Sequence, residues 1–262
     1  IWQGRERIAQ EHDAMRGAYL GPEFGPVSIE RTARRYNAPC RKFDDFDELC
    51  AEVADKLAEG NAIGWFQGRM EYGPRALGNR SILGDPRHPE MQKKLNLKIK
   101  YREGFRPFAP SVMEEEIGNY FELDRPSPYM LVVAPVAEAR RNPLPDGYDD
   151  MAMYERLYVL RSDIPAVTHV DYSARIQSVS SRTNPRYWQL IDAFRKNHGC
   201  GLVVNTSFNV RGEPIVCSPE DAYRCFMRTE MDCLVLGDRL FLKEEQPKWS
   251  EDGDWREHFE LD

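Results

Sequence analysis

The sequence predicts an α/β or α+β domain with a twisted mixed β-sheet flanked by helices. Three observations carry this reading. Short apolar runs that read as buried strands recur along the chain: AIGWFQ from Ala62, MLVVA from Met130, GLVVNTS from Gly201, CLVL from Cys233 and LFLK from Leu240. Amphipathic segments with clear start and stop signals lie between some of them. Elsewhere strands follow one another with no helix between, which argues against a purely parallel βα alternation.

Each element has a local cause. Asp44 or Asp45 can cap a helix whose apolar stripe is Phe46, Leu49, Cys50, Val53 and Leu57, and Gly60 closes it. Asn184-Pro185 opens a second helix with Trp188, Ile191 and Phe194 on its apolar face, stopped by Gly199. Ser218-Pro219-Glu220-Asp221 opens a third, with a hydroxyl cap and acids in the first turn. Residues 1–20 read as a short charged helix. Gly21–Pro39, rich in proline and glycine, reads as a linker. The expected division is therefore 1–27, the tail of an upstream domain or a linker helix, and 28–262, the main domain. The charged tail from Glu244, with Trp249 and Trp255, reads as peripheral.

Composition narrows the function classes. The 262 residues are 41% hydrophobic and 30% charged, which excludes a disordered chain or a fibre. The uncharged run Pro126–Ala137 is too short to span a bilayer, and no signal-peptide pattern opens the sequence, so a cytoplasmic location without membrane contact is expected. The chain opens on Ile1, not methionine, which fits a piece of something longer. Six cysteines without a C-x-x-C pair read as reduced buried thiols. Five scattered histidines give no metal-ligand spacing, so no metal site is expected from this chain. A net charge of −7 argues against nucleic-acid binding. Yet Arg69–Arg106 holds ten Lys/Arg and four acids, a net +6 that leaves −13 elsewhere. That contrast points to one focused anion site.

Four constellations could build such a site. Gly68–Arg87 spaces four glycines among Arg69, Arg75 and Arg80, so that backbone and guanidinium groups could both meet an anion; a solvated surface loop is the bland alternative. In Lys94–Pro110, Lys98, Lys100 and Arg102 alternate with apolar residues, so a strand would place the three cations on one face, although a helix could hold part of the run. There Arg106 also falls between Phe105 and Phe108. Asn205–Asn209 places short polar side chains just past an apolar strand, where α/β sheets bind ligands. Arg175 and Gln177 would share one side of a strand. Cations without an evident nucleophile favour phosphoryl or nucleotidyl chemistry.

Four of these stretches, GRMEYGPRALGNRSILGDPR, KIKYREGFRPFAP, ARIQSV with NPRYW, and NTSFNVRGEPIVCSPEDAY, closely resemble the C-terminal part of the NodU/CmcH carbamoyltransferase family. The resemblance runs from about Gly60 to Leu242, and AYLGPEF (18–24) resembles the segment before it. It implies a YrdC-like domain that makes carbamoyl adenylate from carbamoyl phosphate and ATP with Mg²⁺. An upstream actin/Hsp70-like domain of the same polypeptide, carrying a further metal expected to be iron, would then pass the carbamoyl group to a small-molecule hydroxyl. Carried over by motif, Arg75, Lys100 and Arg106 are the expected catalytic residues. Arg75, Lys100, Arg106, Arg175, Asn205 and Ser207 are expected to bind carbamoyl phosphate and ATP, with Lys98 and Arg102 less firmly placed. Asp85 and Glu213 are candidate supports for Mg²⁺. A threonylcarbamoyl-adenylate synthase of tRNA modification and a non-catalytic nucleotide-binding module are the alternatives. Oligomeric state, a homodimer included, stays open.

Overall fold

In the computed structural model, the described residues are Gly4 and 13–249. Nine strands form one mixed sheet: β1 (Arg41–Lys42), β2 (Ile63–Phe66), β3 (Arg80–Gly84), β4 (Ala109–Met113), β5 (Val132–Pro135), β6 (Ser173–Val179), β7 (Leu202–Ser207), β8 (Cys233–Leu236) and β9 (Arg239–Leu242). Their order is β1-β9-β8-β2-β3-β7-β4-β6-β5. Only β2–β8 and β4–β6 run parallel. The helices are α1 (Pro26–Arg35), α2 (Phe46–Ala58), α3 (Met91–Lys94), α4 (Ile117–Tyr120), α5 (Met153–Leu157), α6 (Pro185–His198) and α7 (Pro219–Arg228). The expected mixed α/β class is what the chain adopts.

Sheet register decides where the site can be. Phe66 pairs with Arg80, Ser81 with Ser207, and Asn205 with Ala109. The ends of β2, β7 and β8 therefore lie along one edge with the starts of β3, β4 and β6. The centre of the sheet also joins distant parts of the chain, Ile63 to Cys233 and Ala109 to Asn205.

The predicted caps are present. The Asp45 carboxylate accepts from the Asp47 N–H, and α2 buries Leu49, Cys50, Val53 and Leu57 completely. These pack against α6, whose Leu190, Ile191 and Phe194 are equally buried. Gly199 stops α6 with φ of 71°. Ser218 and Asp221 form a capping box on α7. All six cysteines are free thiols, four of them buried.

Two expectations need correction, and one open choice is decided. The supposed linker Gly21–Pro39 contains α1, with Pro26 in its first turn and Ile29, Thr32 and Ala33 on its buried face. The proline and glycine content had hidden this i, i+3, i+4 stripe. Arg35 and Tyr36 join Glu220 of α7, so the segment belongs to the domain, and a boundary at residue 27 would cut the helix. Most of the helix expected over 1–20 lies outside the described residues. Within 13–20 there is only a single 3₁₀ turn, Arg16–Ala18. For Lys94–Pro110, where strand and helix were both open, the structure takes the helical alternative in part: Leu95–Ile99 forms a π-helical turn continuing α3, and only Ala109 and Pro110 belong to a strand, β4. Met91, Leu95 and Ile99, all fully buried, recur every four residues, and burial of that stripe outweighs the two-residue alternation of charge. In the tail, Trp249 lies 5.5 Å from the Tyr36 ring and 6.0 Å from the Tyr223 ring, against the domain. Trp255 lies outside the described residues.

The two N-caps make a stability test. Ser218→Ala removes one cap and should cost about 1 kcal/mol in urea unfolding. Asn184→Ala removes the cap on Tyr187 N–H and also the donor to Asn79 Oδ1 and the contact with Tyr19. It should cost at least ~2 kcal/mol, because buried partners are left unmatched. Equal losses would contradict this.

Candidate active site

The loop from Gln67 to Asn79 is built around one buried carboxylate. Glu71 Oε1 accepts from the backbone N–H of Leu77 at 2.7 Å, Asn79 at 2.8 Å and Arg80 at 3.3 Å. Burial pushes the Glu71 pKa up. Gly78 is needed there: its φ is 108°, and a Cβ would fall 2.1 Å from the Tyr187 ring. Arg80 is no anion ligand. It is fully buried, donates to the carbonyls of Gln67 at 2.7 Å and Asn79 at 2.9 Å, and lies 3.5 Å over the Phe66 ring. Burial lowers its pKa to about 10. Arg69 is exposed and turned to the Gly21 carbonyl at 3.1 Å. Of the three loop arginines, Arg75 alone is left exposed without an ion pair among the described residues.

Arg75 meets Arg175. The two are close enough that Arg75, after burial, is the second cause lowering the Arg175 pKa. Arg175 is half-buried, and its Nε is shielded from water with no hydrogen-bond partner. Further along the same face of β6, Gln177 Nε2 donates to Leu77 O at 2.8 Å. Asn205 Nδ2 is within reach of three acceptors: Ala76 O at 3.0 Å, Ser111 Oγ at 3.0 Å and Gln177 Oε1 at 2.8 Å. Loop and sheet therefore lock together at Asn205 and Gln177.

Lys100 belongs to a second group, around the end of β7. It is 3% exposed, and its Nζ, with three N–H donors, lies within hydrogen-bond reach of Ser207 O at 2.5 Å, Asn209 Oδ1 at 2.8 Å, Asn209 O at 2.9 Å and Ser207 Oγ at 3.2 Å. Burial lowers its pKa to about 7. Lys98 instead is exposed and pairs with Glu230 at 3.1 Å. Arg102 bonds Asn96 Oδ1 at 2.7 Å and lies 5.0 Å over the Phe108 ring, the aromatic contact expected of Arg106. Arg106 is half-buried and paired with Glu103 at 3.1 Å, and Arg211 approaches the same glutamate at 3.7 Å.

Of the six expected residues, Lys100 and Ser207 stand together at the end of β7, Arg75 is within electrostatic range of Arg175, Asn205 ties the loop to the sheet, and Arg106 sits on the loop entering β4. Asn205 and Ser207 are two residues apart on β7, about 7 Å. Sequence reasoning missed Ser111 and Glu71. A lone hydroxyl inside the apolar strand APSVM and a lone acid inside a basic loop were the available signals. Asp85 lies at the far end of β3, paired with Arg87 at 2.7 Å. Glu213 is paired with Arg228 at 2.9 Å. Among the described residues no group of three or more His, Cys, Asp or Glu could hold a metal ion. A cavity of about 520 Å³ on the Tyr19, Gln67 and Asn184 side contains none of the six residues. One of about 450 Å³ borders Phe105, Pro107 and His169, next to the chain neighbours of Arg106.

Residues 54–243 match the family described as the carbamoyltransferase C-terminus. The chain belongs to the NodU/CmcH carbamoyltransferase family. Within it, the chain is 58% identical to an uncharacterized protein of Synechocystis over 98% of this chain and 42% of that one. Identity to the nodulation protein NolO of Bradyrhizobium diazoefficiens is 43%, over 86% of this chain and 38% of that one. Identity to the 3'-hydroxymethylcephem-O-carbamoyltransferase of Amycolatopsis lactamdurans is 36%, over 87% and 38%. The chain therefore spans about two fifths of the length of these family members. Among solved structures, Sua5 of P. abyssi complexed with L-threonine superposes with a TM-score of 0.48 at 12% identity, covering 73% of this chain and 47% of that one. No helix among the described residues is long and apolar enough to cross a membrane.

Burial of Lys100 has a measurable consequence. Its folded pKa lies below its unfolded value, so between about pH 7 and 10 the unfolded chain binds more protons and stability rises with pH through that window. Lys100→Met lacks this rise. The stability difference between the two should shift in favour of the native protein from pH 7 to 10; parallel profiles would refute the assignment.

Proposed function

We propose that this chain is the carbamoyl-activating part of its carbamoyltransferase, forming carbamoyl adenylate from carbamoyl phosphate and ATP. The observation that carries this reading is the Arg75–Arg175 pair. Two guanidinium groups within electrostatic range of each other make no ion pair among the described residues, and the half-buried one has an unmatched Nε. Like charges held together cost free energy until an anion joins them. Family membership says which anion to try first, and the cephem O-carbamoyltransferase shows by its name the group such a relative transfers.

The chemistry then follows. Water cleaves carbamoyl phosphate to carbamate and phosphate. A carbamate oxygen attacks the α-phosphorus of ATP, the bond to the β-phosphate breaks, and pyrophosphate leaves. Arg75, Arg106 and Arg175 hold phosphate oxygens and spread the charge that develops on them. Lys100, beside Ser207 and Asn209, fixes the end of β7 and adds a compact cation. Asp85 and Glu213 are both committed to arginines, so Mg²⁺ fits this chain as an ion carried on the nucleotide phosphates, and no step is assigned to it. The rest of the polypeptide, with its own metal, would deliver the carbamoyl group to a small-molecule hydroxyl.

The test is pyrophosphate release by the full protein. It should require both ATP and carbamoyl phosphate; release driven by threonine and bicarbonate, or none from a folded protein that binds ATP, would overturn the reading. Arg75→Ala should lower kcat/KM by roughly 10²–10³-fold while changing stability by less than about 0.5 kcal/mol, because Arg75 is exposed. Lys100→Ala should lose both activity and stability, since four acceptors lose their donor.

A further inference from the structure

The chain enters the domain along the loop that carries Arg75. Tyr72 N–H donates to Ala18 O at 2.6 Å, Gly21 N–H to Met70 O at 2.9 Å, and Met70 N–H to Pro22 O at 2.9 Å. The Arg80 guanidinium reaches the same Pro22 carbonyl at 3.4 Å. Between these contacts Tyr19 donates its hydroxyl to Leu77 O at 2.8 Å. That carbonyl has two lone pairs, and Gln177 Nε2 takes the other. Asn184 Nδ2 donates to the Tyr19 oxygen at 3.0 Å, so the hydroxyl proton is committed to Leu77. Ala18 packs with Leu77, Ala109 and Met130 in a small apolar cluster separate from the main core.

This strap is strained at its start and closely apposed at its end. Arg16, Gly17 and Ala18 have φ of 49°, 68° and 68°, and the two with a Cβ are in a region that disfavours one. The Asp13 carboxylate holds the turn, accepting from Met15 N–H at 3.0 Å, from Gly17 N–H at 2.9 Å and from the Tyr129 hydroxyl. At Gly21 a Cβ would fall 2.8 Å from Met70 O and 3.0 Å from Met70 Cβ. The two legs of the loop are anchored differently. Glu71 fixes the far leg at Leu77, Asn79 and Arg80. The backbone bonds that hold the near leg, at Met70 and Tyr72, go to the strap. Between the anchors at Tyr72 N–H and Ala76 O lies an exposed tip, Tyr72–Arg75.

We propose that Ala18–Pro22 is a positioning strap for Arg75, with Tyr19 and Gly21 as its positioning residues. An arginine on a tip anchored by one leg samples many positions and loses that freedom when an anion binds. Anchoring the second leg removes part of that loss in advance, so more of the attraction is left for binding and for the transition state. Burial pushes the Tyr19 pKa up, so the hydroxyl keeps the proton it donates to Leu77. The strap's bonds go to Met70, Tyr72, Leu77 and Asn184, not to the six expected site residues, so its effect on the reaction passes through the loop. This inference rests on the role given to Arg75 in the activation reaction proposed above.

The experiment is a double-mutant cycle on the full protein, read as kcat/KM for pyrophosphate release from ATP and carbamoyl phosphate. Gly21→Val pushes Met70 off the strap and should lower kcat/KM about 10–100-fold when Arg75 is present. In an Arg75→Ala background the same change should cost less than about 2-fold, because the side chain it misplaces is gone. A merely structural strap would lower both backgrounds by the same factor. That result, or no loss in either, would overturn the assignment and leave the activation reaction intact. Tyr19→Phe keeps the ring and removes only the hydroxyl on Leu77 O. It should show the same dependence on Arg75 at about 3–10-fold, and it replaces Gly21→Val if that variant fails to fold. No release by the native protein would strike the activation reaction instead, and the cycle is then read as affinity for inorganic phosphate by calorimetry. Weakening by Gly21→Val only when Arg75 is present supports the strap; weakening in both backgrounds, or no phosphate binding by the native protein, overturns it.

Discussion

One carboxylate oxygen holds the site loop in place. Glu71 Oε1 gathers the backbone N–H groups of Leu77, Asn79 and Arg80 at the point where the loop enters β3. From the other direction Arg80 closes the same turn by donating to the carbonyls of Gln67 and Asn79. Neither residue reaches a candidate ligand group. Together they present the carbonyls of Ala76 and Leu77 to the sheet and leave Arg75 outside, and the orientation of both Gln177 and Asn205 descends from those two carbonyls. Two charges buried in loop construction thus set the polarity of the neighbouring amides.

Much of the fold was legible because its signals are local. Asp45, Asn184 and Ser218 each precede an apolar stripe, and each is a cap in the structure. The strand ending at Ser207 was equally plain, since a four-residue apolar run stops abruptly at short polar side chains. What failed were places where two patterns compete. Around Pro26 the loop chemistry of proline and glycine concealed a helix. Around Ile99 the alternation of Lys98, Lys100 and Arg102 competes with an apolar stripe of Met91, Leu95 and Ile99 at four-residue spacing, and burial decided the outcome.

At the candidate site the sequence names the charged residues without showing what each one touches. Arginine in a glycine-rich loop has the same letter whether it binds an anion or ties backbone carbonyls together. Arg75 and Arg80 are five residues apart and took opposite fates because only Arg80 begins a central strand and is swallowed by the core. Lys100 was read as a cation facing a ligand, yet it is enclosed by oxygens from Ser207 and Asn209. The importance of Ser111 depends on a parallel pairing with Gln177 across sixty-six residues of chain, which no local pattern announces.

That long-range pairing also governs how the domain comes into being. The middle of the sheet needs Ile63 beside Cys233 and Ala109 beside Asn205. During synthesis the early strands leave the ribosome without their neighbours, and loop closure over such spans is slow compared with helix formation. The cation-rich loop is made early, but the strand it must lock onto arrives some 130 residues later, as the contact from Asn205 to Ala76 records. The candidate site therefore takes shape late in biogenesis, and nascent polypeptide truncated before β7 has no means of assembling it.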